Sequence, residues 1–336
     1  MNRNSVIQSV IKSLLVIVLL IGVVGCGGGS KGSIVKRRDS KPNPTTRYFA
    51  YVANLDSNNI SAYTINPDTG ALAKIADSPF ATGDAPVSVT VDPSGKFAYV
   101  VNTNSHTVSV YTINPATGAL TEIDDSPFAT GNYPVSIAVD PSGKFAYVVN
   151  YVSYNISAYT INPDTGALAK IADSPFAAGD GPYSVTVDPF GKFTYVANRV
   201  SNNVSAYTIN PTTGALTKIA DSPFTAGDGP LSVTVDLSGK FVYVVNYHSN
   251  DVSAYAIDPM TGALTEIADS PFTAGDGPYS VTVDLSGKFV YVVNYHSNDV
   301  SAYTINPTTG ALTPIGASVA TGSKPFSIVT VKVTTP

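Results

Sequence analysis

The chain predicts an all-β fold, a β-propeller of six four-stranded antiparallel blades, on three observations. Tyr-Val-x-Asn recurs at Tyr51, Tyr99, Tyr147, Tyr195, Tyr243 and Tyr291, always 48 residues apart, so one unit is copied along nearly the whole chain. Each unit holds four short runs rich in β-branched and aromatic residues, bounded by Gly, Pro, Asn and Asp, which is strand and turn chemistry and too short for helices. The ends of the array are complementary: residues 47–75 supply strands two, three and four of a unit, and residues 325–333 supply a first strand with nothing after it. A unit this small buries its faces only against its neighbours, which makes it one blade of a ring. The last segment is expected to pair with residues 48–52 and close the ring in a composite blade, leaving no free edge.

Ahead of the repeats, residues 1–25 have a weakly basic start (Arg3, Lys12) and an apolar run over residues 14–24, then Gly25. That run is too short for a permanent membrane span, which needs about 20 residues, and reads as a signal peptide outside the fold. Val23-Val24-Gly25-Cys26 resembles the lipobox of bacterial lipoproteins, which implies cleavage before Cys26 and lipid on that residue, the one cysteine of the chain. Gly27 after the cysteine implies, by the same resemblance, the outer membrane of the cell envelope. Residues 26–46 are rich in Gly, Ser, Pro and basic side chains and read as a flexible tether. Residues 47–336 form the propeller, with 12 Lys and Arg against 23 Asp and Glu, a balance that disfavours nucleic acid as a partner.

Within a unit, Pro-Val-Ser-Val-Thr-Val at 86–91 is the first strand and Asp92-Pro93-Ser94-Gly95 the turn into the second, since proline presets a turn and glycine takes a left-handed conformation. Residues 108–113 give the third strand, Asn114-Pro115-Ala116-Thr117-Gly118 the next turn, and residues 119–123 the fourth strand. Bulky Val89 and Val91 alternate with Ser88 and Thr90, giving each sheet one large and one small face, as stacked blades need. Asp-Ser-Pro-Phe, at Asp77, Asp125, Asp173, Asp221 and Asp269, then leads to the next blade as a structural turn with a buried phenylalanine.

Pro-x-Ser-Val-Thr-Val-Asp-Pro-Ser-Gly-Lys-Phe-x-Tyr-Val-Val-Asn, followed by Ser-Ala-Tyr-x-Ile-Asn-Pro-x-Thr-Gly-Ala-Leu, resembles the YVTN-type β-propeller repeats of the lactonase-like family from Arg47 onward. The resemblance implies the propeller fold and, through relatives acting on 6-phosphogluconolactone, a lactone hydrolase. Family enzymes usually have seven blades and diverged repeats. Here six periods are counted and the copies are nearly identical: residues 228–255 and 276–303 differ only at Leu231 against Tyr279.

A site on a symmetric ring must break the symmetry, so the residues that vary between blades are the candidates. They lie in the loops joining strand two to three and strand four to the next blade, expected on one rim. The first loops carry Tyr151, Arg199, Tyr247, His248, Tyr295 and His296, along with His106. Equivalent places on adjacent blades should lie roughly 10 Å or more apart given strand spacing, too far for shared zinc ligation at about 2 Å. No metal and no cofactor are expected. The second loops carry Asp84, Asp180, Asp228 and Asp276, which could ring a cation but also suit a Gly-Asp-Gly-Pro turn, the favoured expectation. Just past the loop prolines come Val87, Val135, Tyr183, Leu231, Tyr279 and Phe326. Together these make an acidic, aromatic rim suited to stacking against a sugar or clamping a peptide.

For lactone hydrolysis a base must lie near a cation that stabilises the oxyanion. Arg199 is the only arginine on this rim, one to two blades from His106 and His248, and Glu122 and Glu266 fall in outer strands, so no catalytic set is expected to converge. The first expectation is therefore a lipid-anchored envelope propeller that binds a glycan, peptide or protein partner on the varied rim and the membrane through Cys26. The alternative is a lactone hydrolase.

Overall fold

The computed structural model describes residues 15–18 and 47–328, apart from residues 68 and 70. Six antiparallel sheets follow one another along the chain, with no helix among the described residues. In the third blade, for example, Pro134–Val139, Phe145–Asn150, Asn155–Ile161 and Leu168–Lys170 pair in sequence order. The outermost strand is in two pieces. Leu168–Lys170 covers one end of the third strand, and after the Asp-Ser-Pro turn Phe176–Ala177 covers the other. The turn is held by Ser174, whose hydroxyl accepts the N–H of Ala158 (2.9 Å), and the Phe176 ring is half-buried.

The second strand is buried along its whole length in the second to fifth blades, since both of its faces are covered by neighbouring blades. Its tyrosine couples one blade to the next: Tyr51, Tyr99, Tyr147, Tyr195 and Tyr243 donate to the carbonyls of Gly118, Gly166, Gly214, Gly262 and Gly310 at 2.8–3.2 Å. The third-strand tyrosine binds backward, as Tyr159 does to the Ala129 carbonyl (2.6 Å). Burial pushes the Tyr159 phenol up to about 12. Five clusters of buried apolar side chains each join consecutive blades, so the core is a set of interfaces rather than one centre.

The junction between the sixth and first blades is looser. Leu72 is 58% exposed, whereas its counterparts Leu120, Leu168, Leu216, Leu264 and Leu312 are 4–7% exposed. Closure also differs from the sequence expectation. The strand beside Tyr48–Asn54 is Leu15–Val18, with Ile17 opposite Val52, so part of the segment read as lying outside the fold occupies the edge assigned to residues 325–333. The physical reason is that an open sheet edge accepts any apolar β-branched run that can satisfy its backbone groups. Residues 325–328 form no strand, and residues 329–336 lie outside the described residues, as do Cys26 and the tether.

Candidate functional site

The rim loops of the second to sixth blades repeat the same hydrogen bonds. The loop after the second strand lies against the loop entering its own blade: the Arg199 N–H donates to the Gly181 carbonyl (2.9 Å), Tyr247 to Gly229 (3.0 Å) and Tyr295 to Gly277 (2.8 Å). The two loop types therefore share one rim. The last loop residue hooks the next blade, as when the Gly229 and Gly277 N–H groups donate to Asn202 and Asn250 Oδ1 (2.9 and 2.8 Å). His106 plays this part in the second blade, its Nδ1 accepting from the Tyr133 N–H (3.1 Å), so it is spent on the scaffold.

The carboxylates are turn elements as well. Asp228 accepts from Asn202 Nδ2 (2.9 Å) and Asp276 from Asn250 Nδ2 (3.3 Å). Asp180 is exposed, its N–H bound to Ser201 Oγ (3.1 Å). Among the described residues no group of three or more His, Cys, Asp or Glu is placed to hold a metal.

The aromatic side chains do gather, over the fourth, fifth and sixth blades. Tyr247 is the hub. Its hydroxyl meets His296 Nε2 at 2.7 Å, His248 lies edge-on to it at 5.0 Å, and the Arg199 guanidinium stands 5.9 Å from its ring centre. Arg199 is also 5.8 Å from the Tyr183 ring. Arg199 and His296 stand two blades apart, yet both lie beside Tyr247, which sits on the blade between them. Burial pushes the Tyr247 phenol up, with Arg199 partly offsetting it, so the residue is a neutral donor.

Below this hub the channel mouth is crossed by the Tyr183 and Tyr279 hydroxyls, 2.6 Å apart. Tyr151 stands edge-on to Tyr183 (6.1 Å, 89°), and Phe326 packs on Tyr279 (4.5 Å) and Tyr295 (4.9 Å). Lys324, which the sequence reading missed, places its ammonium 5.7 Å from the Tyr295 ring. It stands before Pro325 where most copies have glycine or alanine, and nothing local marks it as a rim cation. The contents of the rim are therefore two cations, two imidazoles, phenol hydroxyls and stacking faces within one half of the ring.

Comparison with known proteins agrees with this architecture. The family model described as lactonase, 7-bladed β-propeller, matches residues 45–131, 128–283 and 224–330. A crystal structure titled as a putative 6-phosphogluconolactonase from Bacteroides fragilis superposes with a TM-score of 0.74 at 22% identity, covering 83% of either chain. A second, from Bacteroides uniformis and titled likewise, gives 0.72 at 22% identity and the same coverage. The Pseudomonas aeruginosa periplasmic gluconolactonase gives 0.72 at 19% identity, with 93% of this chain and 98% of that one covered. No curated protein sequence matches the chain. At these identities the structures speak for the fold, and the family match covers nearly all of the repeats. The first expectation, a binding or interaction module, is overturned by this match, which favours the alternative. From residue 45 to residue 330, this chain belongs to the lactonase family of β-propellers.

Proposed function

We propose that the protein is a lactone hydrolase whose site is the half-rim around Tyr247. The observation that carries this reading is the meeting of Arg199 and His296 on one tyrosine, because ester cleavage needs a base and an anion-stabilising donor within reach of one carbonyl. The lactone ring stacks on the tyrosine faces with its carbonyl oxygen toward Arg199. Water adds to the carbonyl carbon while its proton passes to the Tyr247 oxygen and the Tyr247 proton to His296 Nε2. The relay is concerted, since the raised Tyr247 phenol does not release a free phenolate. The oxyanion faces the guanidinium. Its collapse breaks the ring C–O bond, and the proton returns from the imidazolium to the departing ring oxygen, leaving a hydroxy acid.

The same proposal puts the enzyme at the cell envelope, held by lipid on Cys26, where it would meet lactones outside the cytoplasm; cleavage before Cys26 removes Leu15–Val18 and frees the first blade's edge. The test is hydrolysis of δ-gluconolactone, followed as acid release and corrected for the spontaneous rate. Arg199→Ala should lower kcat about 100-fold or more, in the range of a lost oxyanion donor, and His296→Ala about 100-fold. Wild-type turnover no faster than the spontaneous reaction, or full activity in both variants, refutes the proposal.

A further inference from the structure

We propose that the Tyr183–Tyr279 bridge is the specificity element of the site, selecting neutral, hydroxyl-rich lactones over phosphorylated and alkyl ones. This rests on the lactonase reading. The bridge joins the second residues of two first strands, 96 positions apart, skipping a blade. That blade carries Leu231, buried at 3% exposure, which has no hydroxyl to compete. Two otherwise near-identical units thus differ at the one residue that leaves the bridge a simple pair.

Two phenols carry two protons. One is consumed in the mutual bond, and neither hydroxyl has another hydrogen-bond partner among the described residues, so one O–H and the lone pairs remain to be matched. Burial raises both phenols, Tyr279 well above its ordinary value, so both stay protonated donors. Edge-on contacts from Tyr151 to Tyr183, and from Tyr247 and Phe326 to Tyr279, hold the pair in place. A ring hydroxyl can accept the free O–H and donate to a phenol oxygen. An alkyl lactone leaves that donor unmatched on a desolvated surface, which costs more than the bond itself gains.

Charge argues against a phosphate. Among the described residues the rim carries one arginine, Arg199, assigned to the carbonyl, and one lysine, Lys324, over the Tyr295 ring, against the exposed carboxylates of Asp180, Asp228 and Asp276. A dianion entering this rim meets three carboxylates against two cations, one of them committed to the carbonyl. A neutral polyol meets no such field.

The test has a binding arm and a turnover arm. D-glucono-1,5-lactam and δ-valerolactam, which are not hydrolysed as lactones are, would be titrated calorimetrically into wild type and Tyr183→Phe/Tyr279→Phe, a change that keeps both rings and their packing. Wild type should prefer the gluconolactam, and the double variant should bind it about 10- to 100-fold more weakly with δ-valerolactam unchanged. In turnover, kcat/KM for δ-gluconolactone should exceed that for 6-phosphogluconolactone at least tenfold. Equal affinity for the two lactams, no binding of either, equal weakening of both by the double variant, or preference for the phosphorylated lactone overturns the specificity proposal. Selective lactam binding without turnover of any lactone sinks the hydrolase reading and leaves the bridge as a polyol-binding element. Turnover that ignores the Phe pair does the reverse.

Discussion

Replacing Gly214 by alanine should cost several times more than the same change at Gly143, although the two glycines have the same backbone twist, both with φ of +71°. At Gly143 the nearest atom to an added Cβ is Pro93 Cδ at 3.6 Å, so the cost is the left-handed strain alone, about 1 kcal/mol. At Gly214 the Cβ would sit 2.3 Å from Phe145 Cδ1 and 2.7 Å from Ile171 Cδ1, both buried in the preceding blade. Those side chains have no free volume to retreat into, and overpacking of this kind adds about 1–3 kcal/mol. The neighbouring Tyr147 hydroxyl bond to the Gly214 carbonyl, 2.9 Å long, is then strained as well. The expected total is about 2–4 kcal/mol, against about 1 kcal/mol at Gly143. Urea unfolding followed by tyrosine emission is suitable, since the chain has no tryptophan and 20 tyrosines. Because stacked units gain stability interface by interface, Gly214→Ala should also bring forward the first part of the transition. Equal losses in the two variants would show that contact between blades is not what fixes this glycine.

Other outcomes are open to measurement. His106→Asn should leave stability within about 0.5 kcal/mol, because asparagine makes the same hook in other blades, while His106→Ala should cost about 1 kcal/mol in the same assay. Phe326→Ala should destabilise the sixth blade by about 3 kcal/mol, since the ring is buried against Tyr279 and Tyr295, and deleting residues 325–336 should lower the melting temperature further; an unchanged melting curve would remove this segment from the fold. Cys26→Ala should release the protein from the membrane fraction or stop its processing, and tight association of a processed Cys26→Ala chain would refute the lipid anchor, since each buried CH₂ of a lipid chain contributes about 0.8 kcal/mol.

The blade could be read from the residues because its determinants are local or one period away. Proline and glycine set the turns, alternation sets the faces, and Tyr-Val-x-Asn at a spacing of 48 marks the strand that both neighbours cover. The candidate rim was legible for the same reason: only varied positions can break a six-fold pattern. Of its carboxylates, Asp228 and Asp276 are bound by Asn202 and Asn250 within the loops. The strand that lies on the first blade's edge was not legible, since residues 15–18 and 325–328 both supply apolar β-formers and only assembly decides between them.

What the sequence by itself determined, then, is the repeat unit, the number of units and the rim on which variation collects, because each follows from interactions within a blade or between adjacent ones. What only the tertiary structure decided is which varied residues meet. Arg199 and His296 meet on Tyr247 because a long ring bridges two blades, and Tyr183 reaches Tyr279 across 96 residues. Such distances depend on the channel radius, which is the sum of small tilts over every blade and is written in no single repeat.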